Sequence, residues 1–215
     1  MAEAPEGTQV ARGAEATIRA VEWLGWSAYL KDRDAKAYRP KPLDDRLRKE
    51  RTRTEARLLV EARRLGVRTP IVYDLDLVKH RIVLESLAGP TLKELLGAHP
   101  EDPAELLGPV HAFGENLGRL HAGGISHGDL TSSNVLFPEG PTGRPAFLDL
   151  SMGSRSPGVE ELAIDLHLVE EDLRALHPKG EELLRSFYDG YAAGNPGSAA
   201  VRTRAREIRG RVRYA

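Results

Sequence analysis

The hydrophobic and polar positions divide the chain into two parts with different repeats. In the first part, β-like runs punctuated by glycine predict strands at residues 8–10, 16–22, 26–31, 71–77 and 81–87. Between the third and fourth runs, the spacing of apolar residues predicts a long, Arg-rich amphipathic helix over residues 43–65, which Gly66 ends. The first part is therefore expected to be a small antiparallel sheet with one long helix.

The second part has the helical repeat. After Gly89 and Pro90, the pattern predicts helices at residues 92–96, 104–121, 160–176 and 181–193. We therefore predict an α+β fold of two compact lobes joined by a hinge near residues 86–90. The expected division is a sheet-containing lobe at 1–87, a reduced helical lobe at 88–200 and a C-terminal tail at 201–215.

Composition is compatible with this fold and excludes some chemistry. The chain has 215 residues, of which 40% are apolar, enough for one domain or two small lobes with a substantial core. It contains no cysteine, which excludes disulfides, cysteine nucleophiles and thiolate metal sites. No apolar stretch is long enough to cross a bilayer, and the first residues are acidic. We expect a soluble cytoplasmic protein without a membrane partner.

Charge is unevenly distributed. The chain has a net charge of -1, but residues 201–215 contain six arginines and one glutamate, so this segment carries +5 and the remainder -6. A mobile basic tail could contact an RNA backbone, because arginine matches phosphate geometry and releases counterions. Charge alone equally allows a solvated helix end or a tail folded onto the acidic body.

The candidate chemistry centres on the segment His-Gly-Asp-Leu-Thr-Ser-Ser-Asn at residues 127–134. Asp129 and Asn134 lie five positions apart before a short apolar run, an arrangement typical of phosphoryl-transfer sites: the carboxylate orients the nucleophile and the amide oxygen binds Mg²⁺. The alternative is an ordinary polar turn, which predicts no related motif elsewhere. However, a second apolar run ends fifteen residues after Asn134 at Asp149, where another metal ligand is expected.

A lysine and a glutamate complete the candidate set. Lys31 ends the third predicted strand and Glu55 lies on the long helix, so we expect Glu55 to hold Lys31 toward the phosphates of ATP. Lys36 is a rival for Lys31 but lies in a polar loop. The glycine-rich loop expected before this strand is weak, because residues 12–16 contain only Gly13.

Further motifs make a family resemblance specific. They are Gly-Ala-Glu-Ala at 13–16, Lys31 followed by Lys-Ala-Tyr-Arg at 36–39, Leu-Asp at 43–44, Arg-Thr at 51–52 with Glu-Ala at 55–56, the 127–134 segment, and Arg-Gly-Arg at 209–211. Together they resemble the small atypical kinase/ATPase of the KEOPS complex, called PRPK in animals. A small form without a fused partner is similar to the archaeal version.

The resemblance implies a function. Members support threonylcarbamoyl modification of the adenosine beside the anticodon of certain tRNAs. They bind the KEOPS threonylcarbamoyl-transferase catalytic subunit and a small accessory subunit, and they combine weak serine/threonine protein kinase activity with an ATPase. A tRNA contact through the basic tail is the corresponding expectation here.

The resemblance also implies roles for individual residues. ATP and Mg²⁺ are the expected cofactors, with Asp129 catalytic, Asn134 and Asp149 as metal ligands, and Asp165 bracing the catalytic loop. The backbone of Glu85 and Leu87 is expected to face adenine. The remaining ATP-site residues are Gly13, Ala14, Glu15, Ala28, Lys31, Glu55 and Leu136.

Three departures from typical kinases bear on mechanism. The family usually has Asp-Phe-Gly where this chain has Asp149, Leu150 and Ser151, and serine lacks the access of glycine to positive φ. Gly128 replaces the arginine that pairs with a phosphorylated activation loop, and only about a dozen residues precede the next predicted helix. Thr131 replaces a lysine near the transferring phosphate. We therefore expect no activation-loop regulation, and slow transfer or hydrolysis.

Two other functions remain open. A small-molecule phosphotransferase of the aminoglycoside or choline type also has a His-Gly-Asp loop, but it normally needs a larger helical lobe. A non-catalytic nucleotide-binding scaffold is expected to have lost Lys31, Asp129 or Asp149, and all three are present.

Overall fold

A computed structural model describes residues 7–13, 15–99 and 102–212. Its first part contains β1 (Thr8–Arg12), β2 (Thr17–Trp23), β3 (Trp26–Asp32), α1 (Lys41–Arg64), β4 (Val72–Asp76) and β5 (Arg81–Glu85). The strands form one five-stranded sheet in the order β1-β2-β3-β5-β4, and every neighbouring pair is antiparallel. The five predicted strands and the long helix are confirmed, with ends that shift by a few residues.

The boundaries of α1 follow from its sequence. Pro42 lies in the first turn, where a missing backbone N–H costs nothing. Gly66, at φ 77°, follows the helix end and provides the left-handed conformation that other residues resist. One face of α1, including the fully buried Leu58 and Leu59, packs into the main core.

The second part contains α2 (Leu92–Ala98), α3 (Ala104–Ala122), a short 3-10 helix (Ser132–Asn134), β6 (Val135–Leu136), β7 (Ala146–Phe147), α4 (Val159–Leu176), α5 (Gly180–Gly194) and α6 (Ser198–Val212). Strands β6 and β7 form a separate antiparallel pair. The α+β class with an antiparallel sheet and a helical part is thus confirmed. The expected lobe boundary after residue 87 falls in the connection between β5 and α2.

Helices α3 and α5 pack with their backbones unusually close. A Cβ added at Gly114 or Gly118 would lie under 3.0 Å from backbone atoms of α5, and one at Gly190 or Gly194 would meet α3 in the same way. Only glycine allows this separation. The close packing fixes α3, whose end leads into the 127–134 segment.

Of the alternatives that charge left open for residues 201–215, the structure shows a helix packed on the body at residues 201–212. This stretch belongs to α6, which packs against α4 and buries Val201 and Ala205 completely or nearly so, with Ile208 packed beside them. These three apolar residues have helical spacing, but the arginines between them dominate the charge pattern of the segment. Arg213, Tyr214 and Ala215 lie outside the described residues.

Among the helices within the described ranges, none combines the length and the apolar character needed to cross a bilayer.

Candidate functional site

Lys31 lies at the centre of the site. It is on the same face of β3 as Tyr29, because side chains alternate along a strand, and only 6% of it is exposed. Its Nζ contacts Glu55 Oε1 at 2.7 Å and Asp149 Oδ1 at 2.9 Å. The structure therefore brings the lysine, the helix glutamate and the second aspartate together.

Glu55 is fully buried and is shared between two cations. Its Oε2 accepts a hydrogen bond from Arg33 Nη2 at 2.5 Å, while Oε1 contacts Lys31. A buried carboxylate is tolerated only with such partners. Lys36, the rival for Lys31, lies in the loop before α1, where its backbone N–H approaches Asp44.

The backbone at Asp149 explains the departure from Asp-Phe-Gly. Asp149 itself has the positive φ, 54°, which aspartate tolerates better than most residues, and Ser151 does not have a positive φ. Leu150 is completely buried. The serine is therefore compatible with this conformation of the loop.

The electrostatics of Asp149 are dominated by Lys31. Burial by itself would raise the pKa of Asp149, but the charge and hydrogen bond of Lys31 outweigh burial and hold this pKa well below its usual range. Asp149 is thus ionised at neutral pH.

Asp165 on α4 braces the segment that carries Asp129. Its two oxygens accept hydrogen bonds from the backbone N–H groups of His127 and Gly128 at 2.7 and 2.8 Å. His121 Nε2 lies 3.1 Å from the same carboxylate. Burial alone would raise the pKa of Asp165, but the hydrogen bond and charge of His121, with a smaller contribution from His127, keep it lowered. The loop is therefore held by an ionised, fully buried carboxylate.

Asp129 and Asn134 are connected within the loop. Asn134 Nδ2 donates to the backbone carbonyl of Asp129 at 2.8 Å, and the side chain of Asp129 is exposed. Asp129 is therefore free to contact a ligand, while its backbone is fixed.

His127 connects the loop to the strand before Asp149. Its Nε2 lies 3.0 Å from the carbonyl of Leu148, and this carbonyl accepts the ring proton. Burial lowers the pKa of His127, so the imidazole is neutral at neutral pH. The contact holds Asp129 and Asp149 in a fixed relation.

Gly128 is required by its surroundings. Its φ is 82°, and an added Cβ would lie well under 3.0 Å from the carbonyl of Met152. The position occupied by arginine in regulated kinases thus cannot hold that side chain in this backbone.

Two adjoining cavities meet at Lys31 and Asp149. The first, which we call the apolar cavity, has a volume of about 680 Å³ and lies between the sheet and β6. Its lining includes Ile18, Tyr29, Leu84, Glu85, Leu87, Leu136, Leu148 and Asn134. Glu85, Leu87 and Leu136, which the sequence assigned to the ATP site, all line this cavity. The backbone N–H of Glu85 is already bonded to Ile71, at 2.8 Å.

The second, which we call the polar cavity, has a volume of about 450 Å³. It is lined by Gly13, Glu15, Ala16, Ile18, Lys31, Arg33, Arg51, Gly128, Asp129, Asp149, Ser151 and Met152. The predicted Gly13 and Glu15 thus lie beside Asp129, and basic and acidic groups face one space.

The assignment of Ala28 to the ATP site is wrong. Ala28 is 1% exposed and packs with Val21, Leu30 and Val83 in a separate cluster. Because strand side chains alternate, residues at odd positions on β3 share the face of Lys31, and Tyr29 lines the cavity instead. Ala14, also assigned to the ATP site, lies outside the described residues.

Sequence reasoning assigned no role to Arg33 and Arg51, which also line the polar cavity. Signals for both were present. Arg33 is two residues after Lys31, just past the end of β3, and Arg51 is one helical turn before Glu55 on α1.

The oxygen atoms of Asp149 and Asn134 fit Mg²⁺ as ligands. Lys31 and Ser151 both contact Oδ1 of Asp149, and Asn134 uses its Nδ2 within the loop. In the part of the chain that the structure describes, no group of three or more His, Asp or Glu side chains is placed to bind a metal. A magnesium ion here would need phosphate oxygens and water as its other ligands, as is usual for Mg²⁺.

Comparison with known proteins identifies relatives. No family model matches the chain. The chain is 39% identical over 210 residues to a protein of Methanoculleus marisnigri, 37% over 213 residues to one of Methanosarcina mazei and 34% over 206 residues to one of Methanothermobacter thermautotrophicus. Each relative is named a probable bifunctional tRNA threonylcarbamoyladenosine biosynthesis protein.

The similarity covers 98%, 98% and 95% of this chain, respectively, and 36% of each relative. The chain thus spans little more than a third of the length of the curated relatives it matches. The similarity is therefore not confined to a single segment. The chain is therefore similar, over nearly its whole length, to one part of these tRNA threonylcarbamoyladenosine biosynthesis proteins.

Proposed function

We propose that this chain transfers the terminal phosphoryl group of ATP to a protein hydroxyl or to water, and that it does so in support of tRNA threonylcarbamoyladenosine biosynthesis. The observation that carries the proposal is the contact of Lys31 with both Glu55 and Asp149 beside an exposed Asp129. This combination of a paired lysine, a metal-ligand aspartate and a loop aspartate suits phosphoryl transfer.

The two cavities suit the two ends of ATP. The apolar cavity has a suitable volume for a base and ribose, and Glu85 and Leu87 are part of its lining. The polar cavity would receive the phosphates, next to Lys31 and Gly13. Asp149 and Asn134 would hold Mg²⁺, which when bound neutralises charge on the phosphates.

The reaction follows from the position of Asp129. Its carboxylate orients the attacking hydroxyl or water and accepts its proton. The oxygen forms a bond to the γ-phosphorus, and the bond from that phosphorus to the β–γ bridging oxygen breaks. The electron pair leaves with ADP, while Lys31 stabilises the phosphates.

The names of the relatives favour this function over a small-molecule phosphotransferase or a scaffold without chemistry. A small-molecule phosphotransferase needs a substrate pocket in the helical part. The cleft of about 320 Å³ between α4, α5 and α6 shares no lining residue with the polar cavity that contains Asp129. A scaffold without chemistry would have no need for an exposed Asp129 held by the fully buried Asp165.

The relatives also suggest the partner. We propose that the chain acts with a separate catalytic subunit resembling the part of the bifunctional relatives that it does not match, together with a small accessory subunit. ATP turnover by this chain should rise when that part of the Methanoculleus marisnigri protein is added. Unchanged turnover would contradict the partnership.

A tRNA contact through α6 needs revision. Arg204 pairs with Glu160 and Glu207, and Arg209 pairs with Glu170 at 3.0 Å, so part of the positive charge is neutralised within the chain. Arg206 lines a cleft of about 320 Å³ that also contains Arg174 and Arg185. We propose that Arg206 contacts the tRNA backbone. Replacing it with Ala should lower the slope of log affinity against log salt by roughly 0.9, and an equal slope would contradict this contact.

The catalytic proposal is tested with Asp129→Asn. Turnover of ATP should fall by about 10²-fold or more, while nucleotide affinity changes only a few-fold, because Asp129 positions the nucleophile rather than the nucleotide. Asp74→Asn on β4, an exposed aspartate outside both cavities, is the matched control. Undiminished turnover in purified Asp129→Asn protein would overturn the assignment.

A further inference from the structure

We infer that Arg51 contacts the transferring phosphoryl group, and that Glu15 is a tethered carboxylate that competes with the phosphate for Arg51. The inference rests on the proposed phosphoryl transfer and adds a catalytic residue and an internal competitor to it. Neither follows from the lysine, glutamate and aspartate set described above.

The position of Arg51 is determined by α1. Arg51 lies one helical turn before Glu55, so both side chains leave the same face of α1 toward β3. Arg51 lines the polar cavity together with Lys31 and Asp129. It therefore approaches the space next to the catalytic carboxylate from the sheet side.

The other two cationic side chains that line the polar cavity already form ion pairs with acidic residues. Lys31 is held by the buried Glu55 and by Asp149, and Arg33 is 2% exposed and held by Glu55. The side chain of Arg51 is 23% exposed, and its partner is Glu15, at 2.6 Å. Arg51 is thus the cation of this cavity that can most readily exchange its partner for a ligand.

The catalytic loop gives Arg51 a specific task. Thr131 stands where protein kinases often have a lysine near the transferring phosphate, so the loop supplies no cation there. Charge spreads over the equatorial phosphoryl oxygens in the transition state, and an arginine can bind two of them at once. Arg51 supplies from the sheet side the charge that the loop lacks.

Glu15 is placed as an internal anion. It accepts hydrogen bonds from Arg51 at 2.6 Å and from Arg39 at 3.2 Å, and its side chain is 39% exposed. Burial by itself would raise the pKa of Glu15, but the hydrogen bond from Arg39 and the charge of Arg51 hold this pKa below its usual value. Glu15 is ionised at neutral pH and attracts Arg51 as a phosphate would.

Exchange of Arg51 leaves neither group without a partner. If Arg51 turns to a phosphate, Glu15 keeps its hydrogen bond with Arg39. Arg39 is in turn supported by the buried Asp44, 3.7 Å away. The cost of the exchange is therefore small, because no charged group is left unpaired.

Steady-state ATP turnover of five variants tests the inference. Arg51→Ala should lower kcat by about 10²-fold or more, with a smaller change in KM for ATP, because the contact strengthens in the transition state. Arg51→Lys should recover only part of kcat, since lysine lacks the two-pronged geometry. Arg57→Ala, an exposed arginine on the same helix, is the control and should match the unmodified chain.

Substitution of Glu15, the proposed competitor, should change ATP turnover in the opposite direction to substitution of Arg51. Glu15→Gln should raise kcat or lower KM for ATP about two- to fivefold, since the neutral amide no longer competes for Arg51. The double variant Glu15→Gln/Arg51→Ala should behave like Arg51→Ala alone. A merely structural role for this ion pair predicts that both single variants lower activity and thermal stability together, and that result would overturn the inference.

Asp129→Asn, assayed in parallel, separates this inference from the proposed function. If Asp129→Asn keeps full turnover, phosphoryl transfer at this site is wrong. If Asp129→Asn is inactive while Arg51→Ala matches Arg57→Ala, the proposed function stands and the role of Arg51 is wrong.

Discussion

At the scale of single residues, backbone conformation and electrostatics together define the site. Gly128 and Asp149 both have positive φ, on either side of the polar cavity. One is a glycine whose Cβ would meet a carbonyl, and the other is an aspartate held by Lys31. Such backbone conformations are costly and persist where the surrounding contacts enforce them.

Substitution at Gly128 should separate the cost of a positive φ from the cost of a clash between the added Cβ and the Met152 carbonyl. Gly128→Ala should destabilise the protein by about 2 kcal/mol or more, because it adds a clash with the Met152 carbonyl to the cost of positive φ. Gly140→Ala, at φ 79° with no atom within 4 Å of an added Cβ, is the matched control and should cost only about 1 kcal/mol. Urea unfolding at neutral pH measures both, and equal losses would contradict the clash.

The lowered pKa of Asp149 predicts a pH dependence. A carboxylate whose pKa is lower in the folded state stabilises the fold above its unfolded pKa of about 4, and this contribution declines as the pH falls below that value. Asp149→Asn removes this contribution. The difference in melting temperature between the unmodified chain and Asp149→Asn should therefore be larger at pH 7 than at pH 3. A difference that does not shrink in acid would show that the pair with Lys31 adds no stability.

At the scale of elements, packing overrides composition in α6. A stretch with five arginines nevertheless forms a helix, because three apolar residues at helical spacing pack against α4. The arginines then pair with acidic residues of the same helix and of α4, as Arg209 does with Glu170. Truncation after residue 200 is therefore expected to lower stability, contrary to the expectation for a free tail.

One substitution at two positions of α6 tests this packing. Ala205→Asp should destabilise the protein by at least about 2 kcal/mol, because it places an unpaired carboxylate in the core. Ala200→Asp, on the exposed side of the same helix, should change stability by only about 0.5 kcal/mol. The melting temperatures of the two variants are compared. Similar melting temperatures would mean that α6 does not pack on α4 in solution.

At the scale of the whole molecule, the sheet part and the helical part share one core. Leu58 and Leu59 of α1 and Ile82 of β5 belong to the same buried cluster as Leu150 and helices α2 to α6. The contact of Lys31 with Asp149 joins the two parts again at the cavities. A ligand bound in both cavities should therefore stabilise the entire chain.

Nucleotide binding should appear as a global thermal shift. With ATP and Mg²⁺ at about 100 times the dissociation constant, the free energy of unfolding should rise by about 2.7 kcal/mol. Asp149→Ala should lose most of this shift when Mg²⁺ is present, while Asp102→Ala, on an exposed loop, should keep it. An undiminished shift in Asp149→Ala would contradict its role as a metal ligand.

The sequence by itself determined most of the strands and helices and the order of the candidate catalytic residues along the chain. Five strands, α1 and helices α2 to α5 follow from local periodicity and from glycine and proline, which act within a few residues. The pairing of Lys31 with Glu55 was also predicted, because the order of lysine, glutamate and aspartates along the chain matched a family pattern. The strand alternation that excludes Ala28 was available as well and was overlooked.

Only the tertiary structure decided which distant residues share a space. The closeness of Arg51 and Glu15 to Asp129, the second cation on Glu55 and the contact of Gly128 with Met152 join residues on different elements. The packing of α6 on α4 is of the same kind. Local spacing carries no information on such contacts, because they depend on how whole elements pack around the common core.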